Sequence, residues 1–327
     1  MRLLDASCGR EKEAEGRAGP PYAGLGTYAP FMAEPISVAV RRGGIVEAVH
    51  RYHAVAVRGE KIVAAAGDPA LVTILRSSAK PFQALELVRA RDDLETRDIA
   101  IASASHRAEP GQIAAVRGLL ERGRATEDDL ECGPQEGRPP GRIYHNCSGK
   151  HAGMLATCDA RGWRKDGYHL PGHRMQRANQ ADVSAASGVP EDSMRSAVDG
   201  CGVVTWALPL DLIALMFSRL ERTDEGARVA HAMRARPELV GGTGSVDTEL
   251  MQRFPGLVAK GGAEGLLCAA GPDGFAVALK AEDGTSRGVR PALASFLGPL
   301  GYDLADFARG PLLNSRGEEV GEIRALA

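Results

Sequence analysis

Between Ile36 and Ala66 the chain reads almost entirely as strand. "ISVAVRR", "IVEAVHRY", "AVAVRG" and "KIVAAAG" are short Val-rich runs, punctuated by turn text at "RGG" and "RGEK". That is the pattern of an antiparallel meander. The text then turns helical: "ALELVRA", "GQIAAVRGLLERG", "MQRANQADVSAASG", "LPLDLIALMFSRL" and "EGARVAHAMRARP" carry apolar residues at helical spacing. After Met251, "GLVAKGGAEGLLCAAGPDGFAVALKAEDG" returns to strand and turn, and a helix "VRPALASFLGPLG" with a short tail closes the chain. Strands at both ends of a mostly helical middle segment predict the α+β class, an antiparallel sheet flanked by helices.

The 327 residues, 44% hydrophobic, suffice for a large core in one domain or two lobes. A net charge of -2 supplies no basic field for nucleic acid or anionic lipid. No apolar run approaches the roughly 18 residues of a membrane helix. The first thirty residues mix charge with Gly, Pro and Ala and lack the apolar segment of a secretory signal. Residues 1–34 are therefore expected to be a disordered extension and 35–327 a single two-lobed domain, with Met32 a second candidate for the initiating residue. Six cysteines are too few for a disulfide scaffold, which points to a reducing cytoplasm.

Positive charge is unevenly shared: 33 arginines stand against seven lysines. Lysine can lose its proton when buried and arginine cannot. Lys80, Lys150 and Lys260 each lie in Ser-, Cys- or Gly-rich text with few other charges. In "RSSAKPFQ", Ser77 and Lys80 are three apart, on one face of a helix. Pro81 is tolerated only in a first turn, so that helix should begin near Ser77, where backbone N–H groups can hold an oxyanion and a lysine can serve as base. Alone, the pattern is as well explained by an ordinary helix start.

Further segments offer partners. "SASHRAE" places Ser105 beside His106, a hydroxyl able to relay a proton; a strand-end turn is the plain alternative. "VAKGGAEG" puts Lys260 in a Gly-rich element where a substrate can approach the backbone, or in a simple hairpin. "NCSGKHAG" and "DGCGVVT" offer Cys147, Lys150, His151, Asp199 and Cys201. Two thiolates from separate loops can hold zinc, with His151 the more conventional third ligand, or they are two small buried hydrophobes.

Taken together, Ser-x-x-Lys, Ala-Ser-His, Cys-Ser-Gly-Lys-His, Asp-Gly-Cys-Gly and Lys-x-Gly-Ala, in this order from about Gly44 to Gly284, resemble the Rhizobium-etli-type L-asparaginases, the asparaginase II family. The resemblance implies a fold like serine β-lactamases and serine-type glutaminases, and hydrolysis of L-asparagine to aspartate and ammonia. By motif it makes Ser77 the nucleophile, Lys80 its partner, Ser105 the second serine and Lys260 the late lysine. It makes Cys147, Lys150 and Cys201 the ligands of a zinc ion, preferring Lys150 to His151. It places Asp199 at the substrate end, with Arg76 and His151 also on the substrate side, and it suggests a homodimer. The chain departs from the family pattern at Val204, Arg107 and Arg174.

The expected mechanism has neutral Lys80 take the Ser77 proton, Ser77 attack the asparagine side-chain amide, and Ser105, with Lys260 nearby, pass a proton to the departing ammonia. Zinc orients the substrate. Two rivals fit parts of the text. A serine glutaminase or penicillin-recognising hydrolase leaves the Cys147/Cys201 pair unexplained, and a non-catalytic zinc or amino-acid binding protein releases no ammonia.

Overall fold

The structure, a computed structural model, describes residues 31–326. The first thirty residues, where most of the expected extension falls, lie outside the described residues. Twelve strands are assigned among those described: β1 Phe31–Met32, β2 Ile36–Arg42, β3 Ile45–Arg58, β4 Lys61–Ala66, β5 Val72–Ile74, β6 Arg195–Val198, β7 Val204–Pro209, β8 Val258–Gly261, β9 Leu266–Ala270, β10 Phe275–Ala281, β11 Arg309–Leu313 and β12 Glu319–Ala325. The chain is already paired at β1, which runs parallel to β4, within the last residues of the expected extension.

The main sheet has the order β11-β12-β2-β3-β10-β9-β8, with β4 on β3. All its ladders except β1–β4 are antiparallel. The expected meander is present, but "IVEAVHRY" and "AVAVRG" are one 14-residue strand, β3. Nothing at Tyr52–His53 breaks the run, because neither residue favours a turn. One side of β3 takes β2 and then β4, while its second half pairs with β10 on the other side. β10 is buried at every position, as befits a strand covered on both faces. The helices Leu210–Ser218 and Val289–Leu297 both pack against it.

The helical middle holds Thr96–Ala102, Pro110–Arg122, Ser148–Arg161, Arg174–Ser187 and Asp224–Ala235. It also contributes β6 and β7 to a second sheet, β5-β7-β6, which the mostly helical reading of this segment did not anticipate. The expected closing tail is the hairpin β11–β12, which joins the main sheet beside β2. One continuous hydrophobic core runs through sheet and helices. The result is a mixed helix and antiparallel-sheet fold, as the sequence predicts. Among the described residues no helix is long and apolar enough to cross a membrane.

Candidate active site

β5 hands the chain directly to the serine–lysine turn. Arg76–Ala79 is a 3-10 turn, followed by a short α-helix Lys80–Gln83 with Pro81 in its first turn. Arg76 enters the turn at φ +50°, one of four non-glycine residues at positive φ among those described. Such a conformation persists only where surrounding contacts enforce it. Two do so here: the Arg76 N–H donates to Thr205 Oγ1 at 3.1 Å, and its Nε donates to Asp199 Oδ1 at 2.5 Å.

Lys80 is completely buried. Its Nζ donates to the Ala104 carbonyl at 2.6 Å and to Ser105 Oγ at 3.0 Å. No carboxylate pairs with it among the described residues. Burial pulls it down from the ordinary lysine value of 10.5 to about 8, and the neighbouring Lys260 and Lys150 charges act in the same direction. Lys80 therefore loses its proton far more readily than an ordinary lysine, as suits a base.

Although the spacing puts Ser77 and Lys80 on one helical face, no hydrogen bond joins them. Both of the ammonium's acceptors lie on the Ala104–Ser105 segment, since a fully buried ammonium takes the acceptors that satisfy it most completely. Ser77 is half-buried, whereas Ser78 is buried and spends its hydroxyl on the Leu75 carbonyl at 2.7 Å.

Ser105 is held by its neighbours. Its N–H donates to the Val240 carbonyl, and the next N–H, of His106, donates to the Asn146 carbonyl. The Ala108 N–H donates to His106 Nδ1 at 3.1 Å, so the imidazole proton sits on Nε2 and is donated to Ser148 Oγ at 2.7 Å. Ser148 in turn donates to the Ile143 carbonyl. Burial, then the Lys80 charge, pushes His106 down to about 3, so it is a neutral strut. Arg107 is exposed and donates to the Thr243 carbonyl at 2.8 Å.

Lys260, on β8, is also fully buried, but it is not bonded to Ser105. It donates to Asp247 Oδ2 at 3.0 Å and to the Gly261 carbonyl at 2.8 Å. Sequence reading missed Asp247. The contact joins the helix Val246–Arg253 to β8, and local spacing carries no trace of it.

The proposed metal ligands do converge. Cys147 precedes the helix Ser148–Arg161, Lys150 lies in its first turn, and Cys201 sits in the β6–β7 turn, where Gly202 has φ +86°. That helix can pack against Ile101 because residue 149 is glycine; a Cβ there would run into the Ile101 carbonyl. Lys150 Nζ lies 3.1 Å from Cys201 Sγ. The neighbouring Cys147 side chain pulls the Cys201 thiol down to about 5; burial opposes this and the Lys150 ammonium supports it. Burial also opposes the charge of Lys150, but Cys201, Cys147 and Asp199 outweigh it and hold the ammonium above its ordinary range. Asp199 lies below the usual carboxylate range, because Lys150 and Arg76 overcome its burial.

A poised thiolate beside a second thiol suits a soft metal. Among the described residues no three His, Cys, Asp or Glu side chains are grouped to hold an ion by themselves. Lys150, the third ligand that the resemblance implies, would have to give up its proton to bind a metal. His151 is fully buried, with Nδ1 2.6 Å from Tyr168 Oη and Nε2 without a hydrogen-bond partner. Burial holds it neutral, with the Lys150 charge acting in the same direction. The Tyr168 contact, like Asp247, was not anticipated.

A sequence profile described as L-asparaginase II matches residues 38–325. No curated protein matches the chain significantly. Among solved structures it is similar to Mglu in its native form, at 14% identity and a TM-score of 0.45, covering 78% of this chain and 66% of that one. It is similar as well to a β-lactamase from Mycobacterium bovis, at 15% identity and a TM-score of 0.33, covering 78% of this chain and 94% of that one. The chain thus spans just under two thirds of the length of the first of these structures.

Proposed function

The chain belongs to the L-asparaginase II family, and from that premise we propose that it hydrolyses L-asparagine to L-aspartate and ammonia through a serine nucleophile and an acyl-enzyme. The observation that carries the proposal is the state of Lys80: fully buried, without a carboxylate partner among the described residues, and bonded to a serine hydroxyl. A lysine in that condition is a general base near neutral pH.

Lys80 takes the proton of Ser77, and Ser77 Oγ bonds to the side-chain amide carbon. The oxyanion is held by backbone N–H groups that include that of Ser77, since those of Arg76 and Ser78 are already taken by Thr205 Oγ1 and the Leu75 carbonyl. The C–N bond then breaks as the nitrogen takes a proton passed through Ser105, and ammonia leaves. Water adds to the β-aspartyl ester, the ester C–O bond breaks, and the serine recovers its proton. A positioned acid–base group contributes about 10²–10⁴-fold and one oxyanion donor roughly 3 kcal/mol. Asp199, Arg76 and His151 face the substrate's polar end. Cys147, Lys150 and Cys201 would hold zinc, which when bound would supply a cationic anchor for the substrate. A homodimer is the working assembly, as light scattering would check.

The 3.0 Å bond from Lys80 to Ser105 favours a second assignment, with Ser105 as the nucleophile and Lys80 as its direct base. Ammonia release from asparagine and glutamine tests the activity, and nitrocefin hydrolysis tests the penicillin-recognising alternative. Asparagine binding without ammonia release would leave a binding protein. Acid-quenched turnover followed by peptide mass spectrometry separates the two serines: an aspartyl adduct on the Ser77 peptide supports the first assignment, and one on the Ser105 peptide replaces it.

A further inference from the structure

Two fully buried lysines flank the candidate site, and they differ in one respect. Lys80 has no carboxylate partner among the described residues, while Lys260 has Asp247. The grip on Lys260 is thorough. Asp247 Oδ2 accepts from Lys260 Nζ and from the Gly261 N–H, each at 3.0 Å. One carboxylate thereby fixes both the side chain and the backbone of β8. Asp247 is itself buried, in the first turn of a helix that Ser245 caps. A Cβ at Gly261 would lie 3.0 Å from the other carboxylate oxygen, so a bare backbone is what lets Asp247 come this close.

Three groups face Lys260: Asp247 from its helix, Lys80 from the serine–lysine turn, and Cys268 opposite on β9. Burial drives the Cys268 thiol well above its ordinary range, and Lys80 is a cation or neutral. Asp247 is therefore the anion of the set. A buried ammonium bonded to a buried carboxylate is favoured in its charged form, and breaking such a pair leaves an uncompensated charge.

We propose that Asp247 is a positioning residue that keeps Lys260 a fixed cation beside Lys80, so that Lys260 acts by its charge and carries no proton in the reaction. This rests on the amidohydrolase reading; the alternative is that Lys260, expected beside the Ser105 relay, passes a proton itself. Arginine decides between the two roles, because it keeps the charge but has no proton to give up near neutral pH.

The test measures asparagine turnover from pH 6 to 10 for the wild type, Lys260→Arg, Lys260→Met and Asp247→Asn, with circular dichroism to confirm folding. A fixed cation predicts Lys260→Arg within about tenfold of wild type and Lys260→Met lower by roughly 10²–10³-fold. Asp247→Asn should gain a falling alkaline limb, because Lys260 would then be buried without a counter-ion as Lys80 is. Lys260→Arg as inactive as Lys260→Met, or an unchanged profile in Asp247→Asn, overturns the proposal.

Urea unfolding of wild type and Asp247→Asn at each pH reads the same pair without turnover. The variant should take up more protons than the wild type on unfolding on the alkaline side of neutrality. Equal proton uptake overturns the proposal even if Lys260→Arg fails to fold. A wild type that releases no ammonia refutes the amidohydrolase reading, and the unfolding comparison then decides the state of Lys260.

Discussion

Replacing Lys80 with methionine should abolish turnover and invert its effect on stability with pH. Lys80 falls from 10.5 to about 8 because it is buried. At roughly 1.4 kcal/mol per tenfold change in proton affinity, holding it protonated in the folded state costs about 3 kcal/mol. Its folded value lies below its unfolded one, so unfolding takes up a proton between them. The full cost is therefore present below about pH 8 and disappears as pH rises toward 10.5. Methionine removes that cost but strips the Ala104 carbonyl and Ser105 Oγ of a donor, at about 1 kcal/mol each. Lys80→Met should thus be more stable than wild type by about 1 kcal/mol at pH 7, and less stable by about 2 kcal/mol above pH 10.5. Urea unfolding of both proteins across that range, extrapolated linearly, measures the difference, and contributions from other titrating groups largely cancel. A difference flat between pH 7 and 10.5 would falsify the claim that Lys80 is driven toward neutrality.

The strain at Arg76 should appear in a paired comparison: Arg76→Gly and Arg76→Ala both lose the Asp199 bond, but glycine tolerates φ +50° and should be more stable by about 1 kcal/mol in thermal or urea unfolding. Asp247→Ala should cost about 3–5 kcal/mol by leaving Lys260 buried and unpaired, with much of that recovered in Asp247→Ala/Lys260→Met; additive losses in the double variant would contradict a buried pair. Gly149→Ala should destabilise by more than about 2 kcal/mol, since its Cβ meets the Ile101 carbonyl rather than a movable side chain. If Cys147, Lys150 and Cys201 hold zinc, a chelator should lower the melting temperature of the metal-loaded protein and leave Cys201→Ser unchanged, with metal content read by atomic emission.

What the sequence discloses follows the range of the interactions. Helices such as Arg174–Ser187 and Asp224–Ala235 are legible because their apolar spacing repeats locally. β6 and β7 hide in helical surroundings, because a four-residue and a six-residue strand have too few alternations to outweigh their flanks. β11 and β12 hide for another reason: they lie at the exposed end of the sheet, and their mixed polar text resembles a tail. In the site, scarcity marks the three lysines, yet their bonding partners are a matter of tertiary packing. Ser105 lies 25 residues from Lys80 and Asp247 lies 13 from Lys260, and no periodicity links either pair. The Ser-x-x-Lys spacing implies an internal pair, whereas the folded chain turns the ammonium to a different segment.

His106 has a consequence for anyone who would move this chemistry elsewhere. Its ring reaches Ser148 and its N–H reaches Asn146, which flank Cys147, while Ser105 is its immediate neighbour in the chain. The cysteine loop and the hydroxyl bonded to Lys80 share that one junction, and neither is a detachable module. A graft carrying "NCSGKHAG" alone would leave its anchor behind, and a displacement on either side would propagate to the other through His106. Because that ring gains a proton only near pH 3, ordinary acidity leaves the junction intact, and wear there would come from substitution rather than from pH.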